Sequence, residues 1–208
     1  MEKRIPKLFI EYGLPFDFDP KGDVPKAMAE WCQKMTPVFQ KLWDDDGIPL
    51  LKPIVNRFGR GFCRNELSVY IVAHKHAVAM SHPLMLSVRN RIPPDFAEHI
   101  LMPKSFIGTL FHEMMHRYIM DHVNIQSMNS PLIKKYCNES ETVLYHIHLM
   151  ALLTLGFTEC DRQSDLLKMI EVEKTIPDPG YARAREIELA ESTERVLQDL
   201  EVLFAKSL

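Results

Sequence analysis

Residues 104–120 hold no proline and a single glycine, Gly108. Phe106, Leu110, Phe111, Met114, Met115 and Tyr118 supply apolar faces at helical spacing. The segment is therefore expected to be one long helix, buried over much of its surface. Inside it stand His112, Glu113 and His116. Polar side chains in such a setting are costly unless something satisfies them. His112 and His116 are one helical turn apart and stack on one face. Two imidazoles so placed can reach one tetrahedral Zn2+. Glu113, beside the first of them, can reach a water at that ion as general base.

The rest of the composition restricts what such a helix can serve. A length of 208 residues fits one domain, or one domain with a helical appendage. A net charge of −3 without a strongly basic stretch gives no electrostatic support for nucleic-acid binding. The N-terminus lacks the apolar run of a signal peptide, and no apolar run reaches membrane-spanning length. Cys32, Cys63, Cys137 and Cys160 are far apart and form no CxxC pair, so they are read as reduced thiols in a cytoplasmic protein.

The stretch His112-Glu113-Met114-Met115-His116 resembles the His-Glu-x-x-His motif of the zincin metallopeptidases. The resemblance covers the motif and its helix, about residues 104–122. It implies an α+β fold in which a small mixed or antiparallel sheet packs on the motif helix and further helices follow. It also implies a Zn2+ cofactor, a peptide or protein substrate, and a metal-bound water activated by Glu113. The domain organisation expected is a catalytic domain over 1–156 and a C-terminal helical appendage over 157–208.

A catalytic zinc takes three protein ligands and leaves one position open. His122 stands six residues after His116, a spacing seen in metzincins. Ile119 occupies the place where metzincins carry a glycine that turns the chain. If the helix simply continues, His122 falls roughly 120° off the metal face. Glu139 and Glu141 are the gluzincin-like choice, because Asn138-Glu139 matches a dipeptide common there, although Val143 holds the place of the companion acid. His146 and His148 sit among aliphatic residues and need partners. Two residues apart on a helix, they point in nearly opposite directions and cannot both ligate. His146 is taken as the third ligand, with the others kept open. Tyr145, His148 and Arg117 are the candidate donors to a developing oxyanion.

Around the motif, Lys7–Tyr12, 50–55 and 67–73 read as strands. Asp23 reads as the cap of a helix that Pro37 breaks or kinks. Asp44-Asp45-Asp46-Gly47 reads as a solvated helix end rather than a calcium loop. Residues 83–88 read as an edge strand of the kind that binds substrate backbone in zincins. Ser130-Pro131 opens a short helix, and a buried helix after Ser140 ends at Gly156. Residues 181–206 read as one charged helix with an apolar stripe, able to cover the domain or to form a homodimer. Two rivals stand beside the peptidase. Peptide deformylases pair the same motif with an upstream cysteine, but Phe62 precedes Cys63 where that family has glycine, and Cys63 is read as a packed thiol. The other rival is a zincin-fold binding or regulatory module without catalysis.

Overall fold

The computed structural model describes residues 4–13, 26–73, 79–88, 103–123 and 129–206. The loop expected over 15–23, the cap at Asp23, the connection over 74–76 and the turn over 93–101 lie outside them. The fold is α+β with a small mixed sheet. The chain divides into two compact units, one of Glu2–Pro49 and Gly61–Met114, the other of Leu50–Arg60 and Met115–Leu208. Among the described residues no helix is long and apolar enough to cross a membrane.

The first unit carries β1 (Lys7–Tyr12), α1 (Lys26–Leu42), β2 (Glu66–Val72), β3 (Ala79–Ser81) and β4 (Leu84–Ser87). The strand order is β1-β2-β4-β3, with β3 antiparallel to β4 and the other pairs parallel. In β1 and β2 the buried residues alternate along the chain (Leu8 and Ile10; Leu67, Val69 and Ile71), the period of a strand with one covered face. β4 is buried along its whole length. The edge assignment for 83–88 is therefore corrected: Pro83 lies in the turn, β4 is interior, and β3 and β1 are the edges. Helix α1 packs on β1, and the Ile10 N–H donates to Gln40 Oε1 at 2.9 Å, which occupies one backbone donor of that edge.

Helix α1 is not broken by Pro37. A proline leaves the carbonyl four residues back without its N–H donor. Here that carbonyl belongs to Gln33, and the Thr36 hydroxyl donates to it at 2.9 Å. Nor does Asp44-Asp45-Asp46-Gly47 end a helix. The three carboxylates are solvated, but Trp43–Gly47 forms a π-helical turn that leads directly into α2 (Ile48–Phe58). The buried Trp43 ring lies over Gly47, where a Cβ would come within 2.2 Å of it. The strand expected over 50–55 is thus a helix, despite Pro53. Its buried residues Leu50, Leu51, Ile54 and Val55 follow helical, not alternating, spacing.

Two of the boundaries, after Pro49 and after Met114, fall inside continuous helices, α2 and the motif helix α3 (Pro103–His122). In the first unit Phe106 of α3 meets Phe39 of α1 with ring centroids 4.5 Å apart. In the second unit Tyr118 of α3 packs with Phe58 and Phe204 and donates its hydroxyl to the Arg60 carbonyl at 3.1 Å.

The second unit continues with α4 (Pro131–Lys135), α5 (Glu141–Glu159), α6 (Gln163–Glu173), α7 (Gly180–Glu191) and α8 (Thr193–Lys206). Ser130 and Ser140 cap α4 and α5 through their hydroxyl oxygens. Helix α5 is apolar almost all round and is packed by α6, α7 and α8. It runs through Gly156 to Glu159, so the expected boundary after residue 156 lies within one helix. The single helix expected over 181–206 is two helices. Ser192, at φ 69°, separates them, and its Oγ accepts from Arg195 N–H at 3.5 Å to start α8. The stripe of Val196, Leu200, Leu203 and Phe204 is buried within the chain. Cys63 is exposed rather than packed.

Candidate metal centre

Helix α3 puts His112 and His116 on successive turns, and α5 brings His146 beside them. Ligand-capable atoms of the three imidazoles all lie within 4.8 Å of one another. The rings of His116 and His146 meet edge to face with centroids 4.8 Å apart. His112 and His146 are buried, and His116 is half-buried. A tetrahedral zinc holds its nitrogens about 3.4 Å apart, so small imidazole rotations would close the cluster.

The hydrogen bonding of His146 fits a ligand. Its Nδ1–H donates to the Thr142 carbonyl, one turn earlier on α5, at 2.6 Å. That bond fixes the tautomer and turns the Nε2 lone pair outward, as a backbone carbonyl does behind many metal-bound histidines. Burial lowers the His146 pKa, while the Thr142 carbonyl and Asp178 partly offset it. Burial, with His146 alongside, takes the His116 pKa down to about 3. Both rings are therefore neutral near pH 7, the form that binds metal.

Glu113, beside His112, is 8% exposed. Burial pushes its pKa up to about 7, and no cation among the described residues offsets the rise. A carboxylate poised there suits proton transfer at neutral pH. A metal ion close by would draw its pKa down again.

The other sequence candidates lie elsewhere. His122 is buried with its ring against Tyr118 and Phe204. Glu139 is paired with Arg183 at 2.8 Å, and Glu141 is exposed. His148 is fully buried on α5 and bonds through Nε2 to Asp199 Oδ2 at 2.7 Å, while Asp199 Oδ1 accepts from Leu132 N–H at the start of α4. Of the expected oxyanion donors, Arg117 is paired with Asp121 at 3.1 Å, His148 is held by Asp199, and Tyr145 lies at a half-exposed position of α5. One neighbour was not legible in the sequence. Tyr181 of α7 lies with its ring centroid 4.4 Å from that of His146. Its sequence context, four residues after Pro177 in a loop, carries no metal-site signal.

No protein-family model, curated protein or solved structure matches this chain.

One consequence concerns the metal-free protein. The folded pKa of His116 lies below its ordinary 6.5, so its neutral ring contributes stability that is complete above pH 6.5 and is lost as pH falls towards about 3. Melting temperatures measured in chelator are expected to fall steadily over that window, and less so in His116→Gln. Equal slopes in the two proteins would contradict the assigned burial.

Proposed function

We propose that this protein is a zinc-dependent hydrolase of the zincin type, cleaving peptide or other amide bonds. The observation that carries the reading is the meeting of His112, His116 and His146 with a buried acid next in sequence to one of them. Three imidazole nitrogens are a donor set found in catalytic zinc sites. Zn2+ held there supplies Lewis acidity, polarising a carbonyl and acidifying water.

The chain's own residues do the rest. His112, His116 and His146 hold the ion. The Thr142 carbonyl orients His146. Glu113 takes a proton from the attacking water and delivers it to the departing amine, a role that needs one group to act as base and then as acid. Metal binding alone would not call for an acid at that position, which favours an enzyme over a zincin-fold binding module. A reducing, cytoplasmic setting suits a chain whose four cysteines form no disulfide.

The test begins with metal. Purified protein, stripped and reloaded, is expected to take up one equivalent of Zn2+. His146→Ala should weaken uptake by more than about 100-fold, beyond the range typical of losing a supporting residue. Loaded wild type is then offered a peptide library, and cleavage that stops on chelation and returns with zinc supports the hydrolase. Zinc uptake without any cleavage would move the reading to the binding module. Unchanged affinity in His146→Ala would remove the third ligand.

A further inference from the structure

The start of α7 is laid on the first turn of α5, next to His146. Asp178 organises the approach. Its Oδ1 accepts from Gly180 N–H at 2.8 Å, and its Oδ2 accepts from the Thr142 hydroxyl at 3.1 Å. Gly180 then passes so close to Thr142 that a Cβ on it would sit 2.7 Å from Thr142 Cγ2. Only a residue without a side chain lets the backbone come that near. The next residue is Tyr181, whose ring lies on His146 at 4.4 Å with a 49° tilt.

His146 is thereby held from three sides. The Thr142 carbonyl fixes Nδ1, the His116 ring meets one side, and the Tyr181 ring meets another. Thr142 serves twice, since its carbonyl holds the imidazole and its hydroxyl anchors the turn that carries Tyr181. An imidazole on a helix otherwise has rotamers to lose when it binds metal.

We propose that Asp178, Gly180 and Tyr181 form a positioning clamp for His146, making the C-terminal helices part of the metal centre. Tyr181 acts through its ring, by packing, and not through its hydroxyl. The proposal rests on the metal-centre reading and deepens it. Two expectations follow directly. Removing the aromatic ring loosens the ligand without removing it, and removing only the hydroxyl changes nothing.

The experiment compares Tyr181→Phe, Tyr181→Leu and Tyr181→Ala in the full-length chain. Zn2+ affinity is read by competition with a chelating dye, and the Co2+-substituted proteins give a visible absorption spectrum sensitive to ligand geometry. Metal-free melting temperatures report the fold. Tyr181→Phe is expected to bind Zn2+ as wild type does. Tyr181→Leu, which keeps most of the apolar volume, and Tyr181→Ala should bind about 10- to 100-fold more weakly, as when a supporting neighbour of a metal ligand is lost. Their Co2+ spectra should change too, which a purely structural residue would not cause. Wild-type affinity and spectrum in folded Tyr181→Leu would overturn the clamp. A large loss in Tyr181→Phe would overturn it as well, by assigning the role to the hydroxyl. If wild type itself takes up neither ion, the metal-centre reading fails and the clamp falls with it.

Discussion

Glu113→Gln is expected to keep its zinc and lose about 10²- to 10⁴-fold in turnover, the range removed with a positioned general base. Glutamine has nearly the same shape and can still hydrogen-bond water, but it cannot accept a proton. The three imidazoles are untouched, so metal content and affinity should stay near wild type. A second signature separates this from a folding defect. The folded pKa of Glu113, about 7, lies above its ordinary 4.5. Its contribution to stability in the metal-free protein is therefore complete below pH 4.5 and lost as pH rises through 7. The amide has no such ionisation, so metal-free Glu113→Gln should be the more stable protein above pH 7. Metal analysis, steady-state kinetics on a cleaved peptide and melts in chelator read all three quantities. Turnover at the wild-type rate in the variant would remove Glu113 from the mechanism.

The largest stability effect is expected at Arg185, one turn beyond Tyr181 on α7. Arg185 is 3% exposed. It forms a two-pronged pair with Glu173 at 2.9 and 3.0 Å. It also donates to Glu188 at 3.2 Å, to the Thr154 hydroxyl at 2.9 Å and to the Met150 carbonyl at 3.1 Å. Glu188 in turn accepts from Thr193, so one cation joins α5, α6 and α7 and, through Glu188, the start of α8. Arg185→Ala would take from two buried carboxylates, Glu173 and Glu188, the cation they share. Breaking a buried pair in this way costs about 3–5 kcal/mol. Denaturant unfolding of the metal-free protein measures it. The contrast is Arg183 on the same helix, half-exposed and paired with Glu139, where water screens the pair and an alanine should change stability little. A loss under about 1 kcal/mol at Arg185 would mean the network is not closed in solution.

At three places the chain departs from its local preferences. Ile54 and Val55 are β-branched and favour a strand over 50–55, yet Leu50, Leu51, Ile54 and Val55 keep helical spacing and form α2. Pro37 does not break α1, because the Thr36 hydroxyl takes over the Gln33 carbonyl, a bond that no propensity contains. The break at Ser192 was signalled only by a Ser192-Thr193 pair inside a run of helix formers. In each case a neighbour in space or one hydrogen bond outweighed intrinsic preference.

The sequence by itself determined the pair His112 and His116, because helical geometry ties four residues of spacing to one face. It also determined that Glu113 accompanies them and that α5 carries buried histidines needing partners. It favoured His146 over His122, Glu139, Glu141 and His148 on local grounds alone, because which of them meets the pair depends on how separate stretches of chain pack. Only the tertiary structure decided which of them stands beside the pair. It spent His148 on Asp199, His122 on an aromatic cluster and Glu139 on Arg183, and it brought Tyr181 onto His146. Spacing fixes what lies on one helix, whereas meetings between helices depend on how whole faces pack.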